Sequence, residues 1–151
     1  YLLLRDYEHA AEQYSYFLNL NPHNAAVWNN LGTCYKKMEK FEKAVWAFEK
    51  AIDYDAELVP AYINLADVYE RLGNMVAASQ NYKMAISLSP VSQQVYLYDK
   101  LARAYFMQKK YVLALGTLEE ALKLVGEGSN QWNYLQNRKE HVMRAAENAK
   151  P

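Results

Sequence analysis

The chain has 151 residues, with 17 Lys and Arg against 17 Asp and Glu, which is length for about one domain. Zero net charge gives no electrostatic argument for nucleic acid or an anionic membrane. No apolar run reaches the roughly 18 residues of a membrane span, no signal peptide opens the chain, and the single cysteine, Cys34, excludes an internal disulfide. Such a chain reads as soluble. A lone cysteine slightly favours the reducing cytoplasm and leaves an exported, disulfide-free protein open.

A ten-residue block then returns four times: Tyr1 to Ala10, Tyr35 to Ala44, Tyr69 to Ala78 and Tyr105 to Ala114. The first three lie 34 residues apart and the last 36. Self-similarity at this period specifies stacked supersecondary units. Tyr1 falls where a helix should end, so the chain is expected to begin mid-repeat as part of a longer array.

Residues 1–24 form a partial repeat. Ala10 and Tyr14 mark a second helix lacking most of its first, and Asn21-Pro22 closes it. Asn24 is then placed to cap the next helix. In residues 25–58, Trp28, Leu31 and Tyr35 fall at i, i+3 and i+7, one stripe of a helix. Gly32 sits beside that stripe, where a small residue admits a second helix. The pattern restarts near residues 39–41, and Ala44, Phe48 and Ala51 give two small residues around a large one. Two helices of about 13 residues with a short turn pack as an antiparallel hairpin.

Residues 59–92 repeat the unit with Tyr62, Leu65, Ala66 and Tyr69, then Ala78, Tyr82 and Ala85. Pro60 suits a first helical turn. Residues 93–129 repeat it with Tyr98, Leu101, Ala102 and Tyr105, then Ala114, Leu118 and Ala121. Pro90 ends the preceding repeat and Ser92 is placed to cap the next helix. The two extra residues before Tyr98 are expected in that turn, where insertions cost least. Gly126, Gly128 and Ser129-Asn130 stop one helix and start the last, about 130–148. After Trp132 and Leu135 this helix turns to charged and amide residues, so residues 130–151 read as a capping helix that ends the array. Val142, Met143 and Ala146 extend a stripe along it.

The residues Trp28, Leu31, Gly32, Tyr35, Ala44, Phe48 and Ala51 resemble the tetratricopeptide repeat, W-x2-L-G-x2-Y followed by A-x3-F-x2-A and a closing Pro. Ala56 replaces that Pro. Tyr62 and Ala66 stand for the Trp and Gly of the second repeat, and Tyr98, Ala102 and Leu118 are the substitutions of the third. The resemblance spans nearly the whole chain. It implies a single all-α domain, a right-handed superhelix of helix-turn-helix repeats with first helices lining a concave groove. Such a domain is a protein–protein interaction scaffold. The resemblance is specific for fold and says little about the partner.

Groove-facing residues are those opposite the packing stripe. On the first full repeat they are Asn29, Asn30, Thr33 and Lys37; on the second, Ile63, Asn64, Asp67 and Arg71; on the third, Asp99, Lys100, Arg103 and Met107. The last helix adds Asn133, Tyr134 and Asn137. Asn30 and Asn64 hold the same place in successive repeats. An amide offers donors and an acceptor, so it can hold the backbone of an extended peptide whatever its sequence. This is similar to the asparagine ladder of some family members. The carboxylate clamp that binds chaperone C-terminal tails is not matched. Asn64 fits and Lys100 fits in part, but Asn29, Thr33 and Tyr96 stand where two Lys and an Asn are needed. A shifted register using Asn30 fails likewise, at Pro60 and Asn64. Lys100 and Arg103, beside Asp99, read as a mutually compensated face, with capture of a peptide carboxylate as the alternative.

Chemistry-bearing residues are sparse. His9, His23 and His141 lack metal-ligand spacing. Cys34, next to Tyr35, reads as a buried thiol. Lys36, Lys37, Lys40 and Lys43 are interleaved with Glu39 and Glu42 and read as a solvated face. No catalytic residue, metal or cofactor is called for, and an RNA-binding repeat is disfavoured by the charge. The expected function is a non-enzymatic scaffold that holds an extended peptide or a helix. The alternative is assembly through the ends and convex face, including self-association through Leu2-Leu3-Leu4, Tyr7 and Tyr14, which an upstream helix would otherwise cover.

Overall fold

The computed structural model describes residues 2–149, with side chains from residue 5 onward. Among them are eight helices and no strand: α1 (Leu2–Leu20), α2 (Ala25–Lys37), α3 (Phe41–Tyr54), α4 (Val59–Arg71), α5 (Met75–Leu88), α6 (Val91–Met107), α7 (Tyr111–Lys123) and α8 (Asn130–Asn148). They fall into two compact units, residues 1–73 and residues 74–151. In the first, α1 packs on α2, α2 on α3 and α3 on α4, and α4 also touches α2. In the second, α5 packs on α6, α6 on α7 and α7 on α8.

The repeat stripe is the core. Leu31, Ala44, Phe48 and Ala51 are buried in the first unit, and Leu101, Ala102, Ala114, Leu118 and Ala121 in the second. Gly32 is there because of Phe48. A Cβ at Gly32 would stand 2.6 Å from Phe48 Cε1 and 2.7 Å from Cδ1, closer than carbon atoms can pack. The missing side chain is what seats α3 against α2.

The turn inside each helix pair uses one left-handed residue. Glu39 has φ 57° and Lys109 has φ 59°, and Gly73 occupies the corresponding place at 75°. The chain then closes back on the helix it leaves. Lys40 N–H donates to Tyr35 O and Lys110 N–H to Tyr105 O, both at 2.9 Å, the long-range bond of a Schellman ending. Helix starts are capped by side chains: Asn24 accepts from Val27 N–H, Asn74 from Ala77 N–H and Ser129 from Trp132 N–H, each at 3.1 Å. Pro60 lies in the first turn of α4. Between repeats, an aromatic ring reaches back across the connection. Trp28 Nε1 donates to Pro22 O at 2.7 Å, and the Tyr62 hydroxyl donates to Ala56 O at 3.0 Å.

Three local expectations are corrected. Ser92 is not a cap: α6 starts at Val91, with Pro90 before it in extended conformation. The extra residues before Tyr98 lie in that helix, which is 17 residues long, because nothing in Ser92-Gln93-Gln94 opposes continued helix once Pro90 has set its start. The break between the remnant of a first helix near the start of the chain and the second helix of Ala10 and Tyr14 is also absent, and α1 runs from Leu2 to Leu20 as one helix. Arg5 is an ordinary helix former, and helix continues where no turn residue interrupts it. Tyr7 and Tyr14 are half-buried against a cluster containing Ala11, Leu18 and Leu31. The exposed apolar residues of α1 are instead Tyr16, Phe17 and Leu20. The side chains of Leu2, Leu3 and Leu4 lie outside the described residues. On α8, Leu135 and Val142 are buried, whereas Met143 faces outward.

Candidate functional site

Helical periodicity places residues one and two after the stripe aromatic on a different face from the core. In the first unit that face belongs to α2 and α4. Asn64 is its centre. Its Nδ2 donates to Asn29 Oδ1 at 3.1 Å, and its Oδ1 accepts from Lys36 Nζ at 2.5 Å. Lys36 Nζ also lies 3.9 Å from Asp67 Oδ2. Asn29, Lys36, Asn64 and Asp67 are all partly buried, and Asn30, Lys37 and Arg71 stand exposed around them. Thr33 turns its hydroxyl back to Asn29 O at 3.0 Å, within its own helix.

The bonded pair is therefore Asn29 with Asn64. Asn30 and Asn64 match in repeat position, yet Asn30 is exposed. Lys36 joins the site, although its interleaved run of charges reads in sequence as a solvated face. The rest of that run behaves as a surface: Lys40 lies 3.9 Å from Glu8, and Lys43 sits 5.8 Å from the Tyr35 ring centroid. The signal that would have marked Lys36 is its position seven residues after Asn29, two turns along the same face of α2, from where a long cation reaches an amide 28 residues on.

The second unit repeats the relationship. Tyr134, two residues after Trp132, donates its hydroxyl to Asp99 Oδ2 at 3.1 Å, and Asp99 directly follows Tyr98. Arg138 Nε donates to Asp99 Oδ1 at 3.0 Å. The cation facing Asp99 thus comes from α8. Lys100 Nζ stands 5.6 Å from the Tyr96 ring centroid and 6.0 Å from that of Tyr82, a cation held between two rings. Arg103 and Met107 are exposed further along α6. Burial, and then the Asp99 carboxylate, push the Tyr134 phenol above its ordinary range. Asn133 donates weakly to Gly128 O at 3.4 Å, and Asn137 is exposed. Ile63 on α4 is half-buried.

These faces offer hydrogen bonds and charge. Among the described residues no group of His, Cys, Asp and Glu is placed to hold a metal ion. His23 meets the Tyr54 ring edge-on at 5.0 Å, and His141 lies 5.3 Å from the Phe106 ring. Cys34 is buried, which pushes its thiol up and away from the reactive thiolate. On another side of α2, Trp46 stands edge-on to Trp28 at 4.9 Å and borders a cleft of about 410 Å³ over Leu18 and Leu31.

Two family models, each described as tetratricopeptide repeat, match residues 25–57 and 59–92. Human serine/threonine-protein phosphatase 5 is 26% identical over 122 residues, 81% of this chain and 23% of that protein. Human protein O-mannosyl-transferase TMTC3 is 33% identical over 73 residues, 48% of this chain and 8% of that protein. The chain thus spans less than a quarter of either relative. Among solved structures, the first TPR of Spaghetti (RPAP3), bound to the HSP90 peptide SRMEEVD, is similar in fold. Its TM-score is 0.67 at 23% identity, covering 81% of this chain and 92% of that one.

Proposed function

We propose, for a chain that belongs to the tetratricopeptide repeat family, a non-enzymatic role as a scaffold that holds an extended peptide against its first-helix faces. The family is one of protein-interaction modules. The observation that carries the reading is the Asn64 amide, fixed between Asn29 and Lys36 on the α2–α4 face. Polar groups held by two helices rather than by loops enter a complex already ordered, which reduces the entropy lost on binding. Asn30, Lys37 and Arg71 are the exposed groups beside them, and Asp67 holds Lys36 in place. The second unit has first-helix cations of its own, Lys100 and Arg103 on α6.

Recognition falls on the peptide backbone and side chains rather than on a terminal carboxylate. Asn29, Thr33 and Tyr96 occupy places where a terminal-carboxylate clamp needs two cations and an amide. The test is fluorescence anisotropy with a panel of labelled unstructured peptides, each made with a free and an amidated C-terminus. Binding equal for the two termini, and lost in the Asn30→Ala, Asn64→Ala double variant, is the expected result. A panel peptide that binds the folded double variant as tightly as the wild type would remove the reading. Assembly is the alternative reading, and the surface that favours it lies on α7.

A further inference from the structure

Helix α7 has one buried side and one that has no reason to be apolar. Ala114, Leu118 and Ala121 are buried. On the opposite side Val112 is 83% exposed and Leu113 50% exposed. One turn further on, Gly116 is exposed, with nothing within 4 Å of where its Cβ would stand. The corresponding residues are Glu42, Lys43 and Trp46 on α3, and Val76, Ala77 and Gln80 on α5. A glycine inside an exposed helix gives up about 1 kcal/mol relative to alanine. Neither the packing of this unit nor the repeat pattern asks for it. In this chain Gly32 shows what such a vacancy does, since it admits the Phe48 ring.

Charge brackets the apolar patch. Lys109 and Lys110 precede α7, Glu119 and Glu120 lie in its later turns, and all four are exposed. Val112, Gly116, Glu119 and Glu120 follow at i, i+4, i+7 and i+8, which is one face of a helix.

We propose that this face is the interface of a symmetric homodimer in which α7 lies antiparallel against α7 of a second copy. One two-fold axis, crossing between Ala114 and Leu115, sets Leu113 against Gly116 of the second copy. The same axis brings the basic end of the face, at Lys109, against its acidic end, at Glu120, because that pair is centred on the same point. A large side chain meets a vacancy, and the basic end of one copy meets the acidic end of the other, in a single register. A parallel arrangement would put Lys on Lys and Glu on Glu. The pattern is self-complementary, as an isologous contact requires, and this selects a second copy as the occupant. Glu120 already holds Lys123 at 2.5 Å and Glu119 holds Lys139 at 2.9 Å. Both carboxylates are about half exposed, and groups so open to solvent exchange or share partners at little cost.

Sedimentation equilibrium on the full chain tests this. The wild type should dimerise. Gly116→Leu fills the vacancy on both copies and should leave a monomer whose melting temperature is not lowered, because the site is open and leucine favours helix. Lys109→Glu alone and Glu120→Lys alone should each weaken self-association by roughly tenfold or more, since each places like charges across the axis twice. Mixed together, these two variants should form a heterodimer, because both contacts are then of opposite sign. A wild type that stays monomeric at the highest attainable concentration would overturn the proposal and leave the face to a different protein. Self-association unchanged by Gly116→Leu would also overturn it and move the contact elsewhere, with Tyr16, Phe17 and Leu20 of α1 the next place to look.

Discussion

Asn64 donates its amide N–H to Asn29 Oδ1 at 3.1 Å across two first helices that are 34 residues out of step. The amide oxygen is committed in the same motion to Lys36. Replacing Asn64 by Ala therefore releases two partners at once. One of them, Lys36, is a partly buried cation. The expected loss is about 1 kcal/mol of stability, readable by urea denaturation, because half-exposed hydrogen bonds contribute on that scale. Lys36→Met should cost less, since it removes the charge along with the need to satisfy it. If Asn64→Ala were neutral, the three side chains would be neighbours without coupling.

Gly32→Ala tests the seat of α3. The added methyl would stand 2.6 Å from the Phe48 ring. Overpacking of that kind costs about 1–3 kcal/mol. Phe48→Leu in the same chain should recover much of the loss, because the ring is what the methyl meets. Thermal melts of the single and double variants read this directly, and additive losses would rule out the clash as the cause.

Two turn residues hold the left-handed conformation without being glycine. Glu39→Gly and Lys109→Gly should each stabilise the chain by about 1 kcal/mol, since a side chain is strained there. Gly73→Ala should do the opposite by a similar amount. The expected ordering of denaturation midpoints is both glycine variants above wild type and Gly73→Ala below it. Lys109→Gly also removes a cation from the α7 face, so its stability is best read on the Gly116→Leu background.

Alkaline pH separates the tyrosines. Tyr134 and Tyr69 are pushed up, first by burial and then by Asp99 and Glu49 respectively. With a raised pKa the folded state keeps its proton longer than the unfolded chain. The contribution is therefore complete below the unfolded phenol value, about pH 10. It is lost as pH rises through the folded value. Ultraviolet titration should show late-ionising phenols in the native protein. Asp99→Asn should move Tyr134 part of the way back, leaving the share due to burial. No movement would mean that Asp99 does not act on the hydroxyl.

The core was legible because its pattern is local. Leu31, Ala44, Phe48 and Ala51 sit at fixed helical spacings, and the void at Gly32 follows from having a ring four residues after Ala44. The Asn24 and Ser129 caps are equally local. What escaped was set by reach between helices. Lys36 and Asn64 are 28 residues apart, and whether a long side chain bends toward the next helix or into water is decided by what that helix presents. Asp99 stands in sequence beside Lys100 and Arg103, whereas its ion pair at 3.0 Å is made with Arg138, 39 residues on. Ser92 failed as a cap because Pro90 starts α6 earlier than the repeat spacing implies.

The bonds from Trp28 to Pro22 O and from Tyr62 to Ala56 O end on main-chain carbonyls. A carbonyl is present whatever side chain the residue carries. The connections on either side of the α2–α3 pair are thus latched from the helix side, and their own sequences are released from that duty. Proline at one and alanine at the other are interchangeable as far as the latch is concerned. The demand passes to the ring: phenylalanine at 28 or 62 would fill the volume and let the connection swing. Drift in the linkers should leave the pitch of successive helix pairs intact, whereas a single lost ring donor should loosen it.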